Sequence, residues 1–242
     1  LGYQLERVWV GGHRAAADRL TRVLVARGIR SVLIPPLEDH ASSGADVPLR
    51  LEQFACVTIG CRVTDPDLHF ATNDQFFTSQ LAHAKLLDLG YRRVGLVVPG
   101  YIEEIVECRF SAGFRNALEI RGARPVRDAV LRYDRGAGAE PVMKWFRRFR
   151  PDAICTIFPE VADWLKSNSI RVPEDVSFAS LDWGPPCRDW AGVDQKSARV
   201  GAAAVDVIVQ LLQRNELGPP EHIFGVSIEG AWVDGATAPG RL

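Results

Sequence analysis

The sequence predicts an α/β fold with parallel sheets, and three observations predict it. Short apolar runs alternate with longer amphipathic ones along the 242 residues, and strand–helix alternation of that kind builds parallel sheet with right-handed crossovers. Gly28, Gly90 and Gly122 each follow a helical run, where a left-handed C-terminal cap is expected. The run Val176–Leu181 is short, small and mostly apolar, as a strand covered on both faces must be. Pro173, just before it, cannot continue a helix and pushes its neighbour into an extended conformation.

Strands are expected, in order, at Gln4–Val10, Ser31–Ile34, Ala55–Ile59, His69–Thr72, Val94–Val98, Ala129–Arg132, Ala153–Phe158, Val176–Leu181, Ala191–Val193 and His222–Ile228. Helices are expected at His13–Arg27, Gln75–Leu89, Ile102–Arg121, Glu140–Phe149, Glu160–Asn168 and Ser197–Arg214. The last shows the 3.6-residue period most clearly, with Val200, Ala204, Val207, Ile208, Leu211 and Leu212 on one face. Breaks at Pro99-Gly100, Gly184-Pro185-Pro186 and Gly218-Pro219-Pro220 interrupt the alternation and point to two lobes.

Composition narrows the function. A net charge of −1 and a pI near 6.6 argue against this segment gripping nucleic acid by itself, which calls for a basic face. The run Arg147-Arg148-Phe149-Arg150 reads as a solvated helix face. The five cysteines form no metal-ligand spacing, and Cys155 reads as a small buried hydrophobe, so a reducing, cytoplasmic setting without disulfides is expected. There is no 18-residue apolar run and therefore no membrane partner is expected. No nucleophile elbow, zinc-binding helix, phosphate loop or dinucleotide fingerprint stands at a strand–helix junction. Gly11-Gly12-His13 lacks the spacing of a phosphate loop. Catalysis, a cofactor and a metal are not expected.

Five phrases in order carry a resemblance. They are Leu89-Gly90-Tyr91-Arg92-Arg93-Val94 before a hydrophobic strand; Arg109 ahead of Gly113-Phe114 and Ala117-Leu118; Arg150-Pro151-Asp152-Ala153-Ile154; Val172-Pro173-Glu174-Asp175-Val176-Ser177 with Asp182; and Gly192-Val193-Asp194-Gln195 before a long helix. The closing segment from Val226 to Gly235 matches as well. Together they resemble the effector-binding domain of the lactose-repressor (LacI/GalR) family of bacterial transcription regulators. The resemblance implies two Rossmann-like lobes of parallel sheet joined by three crossovers, periplasmic-binding-protein-like, with a sugar-like effector between them. The lobes would be 1–99 plus 196–216 and 100–195 plus 217–242. It further implies a homodimer, operator DNA as a partner through a helix-turn-helix headpiece outside this chain, and the absence here of the first strand and helix of lobe one. Two departures stand out: three residues separate Arg109 from Gly113 where the family has two, and Phe158-Pro159 stands where the family has Asn-Asp. A periplasmic sugar-binding protein is the alternative reading, and a Rossmann-like enzyme a weaker third.

Ligands of open α/β sheets bind beyond the carboxyl ends of the strands. Asp182 and Trp183 follow one strand there, Asp74 a second, Tyr133 a third and Gln195 a fourth, with Arg109 in the segment after Val98 and Glu160 offered for the missing Asn-Asp. Carboxylates accept from hydroxyls, guanidinium donates in a fork, and aromatic faces pack on the C–H surface of a sugar. Each has a plainer role as well. Asp74 is placed to cap the Gln75 helix, Asp182 a turn, Trp183 to pack on the surface, and Arg109 to pair with Glu104 or Glu107.

Overall fold

The structure, a computed structural model, describes residues 2–8, 17–35, 47, 49–60 and 66–241. The chain forms two compact units, Leu1–Ala71 with Gly201–Val226 and Thr72–Val200 with Ser227–Leu242, and passes from one to the other three times.

The first unit holds α1 (Ala17–Ala26), β1 (Ser31–Ile34) and β2 (Ala55–Ile59), and β3 (His69–Asn73) begins in it. Its sheet runs in the order β1-β2-β3-β9, β9 being Gly225–Ile228. Leu24, Ile34, Leu51, Phe54, Cys56 and Leu68 close its core. The expected strand at Gln4–Val10 does not form over 4–8, and its last two residues lie outside the described ones, as do 13–16 of the expected first helix and the segment 11–13.

The second unit carries a six-stranded sheet. After α2 (Gln75–Asp88) come β4 (Val94–Pro99), α3 (Gly100–Ile105), α4 (Arg109–Glu119), β5 (Val130–Tyr133), α5 (Glu140–Phe149), β6 (Ala153–Thr156), α6 (Glu160–Ser167), β7 (Ser177–Ser180) and β8 (Ala191–Asp194). The helix α7 (Ser197–Arg214) then leads into the first unit, and β10 (Ala231–Val233) ends the sheet, whose order is β10-β8-β7-β6-β4-β5. Strands β4 to β8 pair in parallel, and β10 runs antiparallel to β8. Every residue of β4, β6 and β7 is buried, as in strands covered on both faces, and β4 accordingly reads as a continuous apolar run rather than an alternating one.

Three expectations are corrected. The segment 72–99, assigned from sequence to the first lobe, belongs to the second unit, because β4 hydrogen-bonds to both β5 and β6. The later boundaries fall at 200/201 and 226/227 instead of 195/196 and 216/217. The expected helix Ile102–Arg121 is two helices, broken where Glu107 and Cys108 adopt φ values of 53° and 61°. The left-handed region cannot continue a right-handed helix.

Helices α2 and α4 cross at Gly113. A Cβ there would lie 2.0 Å from the Phe76 carbonyl oxygen, so only glycine allows the approach. One residue on, the Phe114 ring stacks on His83 with centroids 3.9 Å apart, and the His83 Nδ1–H donates to the Phe114 carbonyl at 2.6 Å. Burial holds that imidazole down at about 4.

Candidate functional site

Because β4 to β8 are parallel, their carboxyl ends share one edge of the sheet. Pro99 stands beside Tyr133, Val97 beside Thr156, Thr156 beside Ser180, and Ser180 beside Gly192. All seven residues chosen from the sequence belong to the unit that carries this edge, and the structure gathers them into three groups.

The first group is Asp74 with Arg109. Asp74 caps α2, accepting from the Phe77 amide at 2.9 Å, and its carboxylate lies 3.5 Å from Arg109 Nη2. The displaced spacing of Arg109 explains this contact. Arg109 and Gly113 are four residues apart, hence on one face of α4. Gly113 meets Phe76, so Arg109, one turn earlier, meets the start of α2. The helix break places Arg109 at the first position of α4.

The second group is Tyr133 with Glu160. Tyr133 is 3% exposed, meets Trp164 edge-on at 5.6 Å, and its buried hydroxyl has no hydrogen-bond partner of good geometry. Burial and then the Glu160 charge push that phenol up. Glu160 accepts a two-pronged bond from Arg135, 2.7 Å at each oxygen, and the Arg135 guanidinium lies over the Phe158 ring at 4.4 Å. Glu160 is thus already engaged by a neighbouring cation.

The third group is Asp182, Trp183 and Gln195. The Trp183 indole donates to the Trp190 carbonyl at 3.0 Å, and its amide donates to Val193 at 2.9 Å. The Gln195 amide donates to Leu181 at 2.6 Å, tying the tip of β8 to that of β7. The Asp182 backbone amide donates to Ser180 Oγ at 3.2 Å, while its carboxylate has no cation beside it among the described residues. Asp182 keeps an exposed surface, so a ligand can reach it, yet neighbouring protein and then the Asp194 charge push its carboxyl up. Asp194 itself is held by Lys196 at 2.7 Å.

Sequence reasoning missed Glu103, Arg132 and Arg135. Glu103 is fully buried, accepts from the Ser111 amide at 3.2 Å in the first turn of α4, and lies 3.2 Å from Arg132 Nη2. Arg132 also donates to Ser111 Oγ at 3.1 Å. Glu103 therefore supports the helix start that bears Arg109. Among the described residues no cluster of three or more His, Cys, Asp or Glu could hold a metal ion, and no helix is long and apolar enough to cross a membrane. A surface cavity of about 350 Å³, lined by Phe114, Leu118, Val126 and Val130 among others, opens at the other end of β5 and is separate from this edge.

Comparison with known proteins adds to this geometry. A family profile described as a periplasmic binding protein-like domain matches residues 83–236, a span that includes every site residue above except Asp74. A search of curated protein sequences found no match. Among solved structures, the chain is similar to a transcriptional regulator CelR–cellobiose complex, with 17% identity over 91% of this chain and 69% of that one and a TM-score of 0.69. It is similar to a LacI-family regulator from Sanguibacter keddieii, described as putative in that structure's name, with 20% identity, coverage of 94% and 84% and a TM-score of 0.68. A LacI-family transcriptional regulator from Enterococcus faecium with bound ribose gives 15% identity, coverage of 93% and 86% and a TM-score of 0.67.

Proposed function

The chain belongs to the family of periplasmic binding protein-like domains, and from that premise we propose that it is the ligand-sensing domain of a LacI/GalR-type transcription regulator. The effector is a small polar molecule, a sugar or sugar derivative, taken up at the carboxyl edge of the six-stranded sheet. Asp182 accepts its hydroxyls, Trp183 offers an aromatic face with Tyr133 buried beneath the same edge, and Arg109 with Asp74, Gln195 and Glu160 completes the polar surround. The domain acts without catalysis. It works in the cytoplasm as a homodimer, and operator DNA is its partner through a helix-turn-helix headpiece outside this sequence.

One observation carries this reading: Asp182 leaves the tip of β7 with an unpaired carboxylate that a ligand can reach, beside an indole fixed by its own hydrogen bond. A polar ligand loses water on binding, which costs free energy unless each hydroxyl finds a partner, and a free carboxylate is such a partner. Regulation then requires only that the effector bind one arrangement of the protein better than another. The proteins of like fold whose names specify cellobiose and ribose make those two sugars the first to try.

The test is thermal shift and calorimetry of the chain with cellobiose, D-ribose and a panel of mono- and disaccharides. At least one sugar raises the melting temperature, and Asp182→Ala abolishes that rise while leaving the ligand-free melting temperature within a few degrees. A ligand response that survives in Asp182→Ala removes the residue from the site. A panel without any binder removes the sugar-sensing reading.

A further inference from the structure

Cations and acids at this edge do not balance one for one. Arg109 is closed onto Asp74 at 3.5 Å, Arg132 onto Glu103 at 3.2 Å, Arg135 onto Glu160 at 2.7 Å and Lys196 onto Asp194 at 2.7 Å. Each of these four cations at the strand tips, among the described residues, is therefore spoken for. Arg188 and Arg199 are exposed but stand off the tips, Arg188 on the chain returning to the start of β8 and Arg199 in the first turn of α7. Among the described residues two acids at the tips, Asp134 and Asp182, have no cation; the Asp134 carboxylate accepts from the Gly136 amide at 2.9 Å, whereas the Asp182 carboxylate accepts nothing and has the charge of Asp194 near it.

We infer that this edge selects hydroxyl-rich ligands that carry no acidic group, neutral sugars or amino sugars, and rejects their phosphorylated or carboxylated counterparts. The inference rests on the ligand-sensing reading above and narrows its ligand class. A hydroxyl donates to an ionised carboxylate in a charge-assisted bond, shorter and roughly twice as strong as a neutral one. An ammonium pairs with it directly. A phosphate or carboxylate arriving at the same tips meets Asp182 with like charge, and it gains a guanidinium only by breaking an existing ion pair. Detaching Arg132 would strand Glu103, which is fully buried, and an unpaired buried charge is strongly unfavourable. Arg135 is held at both prongs by Glu160 and rests on Phe158, so it too is costly to redirect. The Tyr133 hydroxyl, buried with the Glu160 carboxylate near it and no hydrogen bond of good geometry, brings no charge to the edge.

The experiment compares matched ligands on the whole chain by calorimetry: D-ribose with ribose 5-phosphate, and D-glucose with glucosamine and glucose 6-phosphate. In every set with a binder, the phosphorylated member binds at least tenfold more weakly than the neutral or amino member, and Asp182→Asn narrows that ratio to within about threefold. A phosphorylated member that binds as well as its neutral counterpart, or a ratio unchanged in Asp182→Asn, overturns the inference. A second measurement needs no ligand, which separates this proposal from the sugar-sensing one. The Asp182 carboxyl carbon is followed by NMR titration in the free protein, assigned by its loss in Asp182→Asn. Titration above the ordinary aspartate value is the expected result. Titration below it means that a cation pairs with Asp182, and the inference falls whatever the sugars do.

Discussion

At the amino-terminal end of the six-stranded sheet, Tyr91 is 1% exposed and its hydroxyl is used twice, donating to the Pro239 carbonyl at 2.6 Å and accepting from Ser177 Oγ at 2.7 Å. Beside it the Asp152 carboxylate accepts from the amides of Arg92 and Arg93, each at 2.9 Å, and the Arg241 amide donates to Leu89 at 2.8 Å. At the carboxyl-terminal end Tyr133 is as deeply buried, at 3%, but its hydroxyl makes no hydrogen bond of good geometry, while Asp182 has no cation among the described residues. The same two chemical groups are sealed at one end and left open at the other. Buried polar groups in folded chains are nearly always paired, so an unpaired hydroxyl marks the end where stability has been given up for something else. Under the proposed function, ligand binding at the strand tips is that something else.

The comparison breaks most severely if the scaffold under the open end is disturbed. Gly113→Ala forces a methyl to within 2.0 Å of the Phe76 carbonyl, so α4 and α2 must separate and carry Arg109 away from Asp74. The expected loss is about 3 kcal/mol or more, or roughly 10 °C in melting temperature for a chain of this size, together with weakened ligand binding. Urea unfolding and calorimetry of the variant check both. A variant of wild-type stability would show that the crossing of α2 and α4 is looser than described.

A second effect of comparable size comes from pH at the same crossing. His83 stays neutral in the folded chain down to about 4, against an ordinary value of 6.5, because burial disfavours its charged form. Between those values the unfolded chain holds a proton that the folded one refuses, so stability falls as pH drops from 6.5 toward 4 and is unaffected above 6.5. The whole fall amounts to about 3 kcal/mol. His83→Gln keeps a donor for the Phe114 carbonyl and has no proton to exchange. Its unfolding free energy should change less than that of the wild type between pH 7 and pH 4.5, and an identical change in both would assign the acid sensitivity to other groups.

How much of this was legible in the sequence depends on how local each signal is. Helices α5 and α7 begin and end where the sequence places them, and α2 starts at the cap that Asp74 announces. These rest on periodicity and on side-chain bonds within one turn. The break at Glu107 and Cys108 was not legible, since neither is a glycine and nothing nearby announces a left-handed pair. The allocation of β4 was misread because Pro99-Gly100 resembles a boundary, whereas strand pairing decides membership. At the site, the residues at strand tips were visible one by one. Their partners were not: Glu103 meets Arg132, and Arg135 meets Glu160, only because the sheet brings separate elements side by side. Arg109 is intermediate. Its face could be inferred from the four-residue step to Gly113, but its partner Asp74 lies on another helix.

The smallest substitutions give the sharpest reading of the contrast between the two ends. Tyr91→Phe and Tyr133→Phe each delete one hydroxyl oxygen from a ring that stays buried. Urea unfolding of the ligand-free chain should show Tyr91→Phe less stable by about 1–3 kcal/mol, since Ser177 and the Pro239 carbonyl lose their partner. Tyr133→Phe should stay within about 0.5 kcal/mol of wild type, since its hydroxyl makes no hydrogen bond of good geometry. Equal destabilisation by the two would mean that the Tyr133 hydroxyl is already satisfied in the free protein, and the open edge on which the ligand-sensing account rests would be closed.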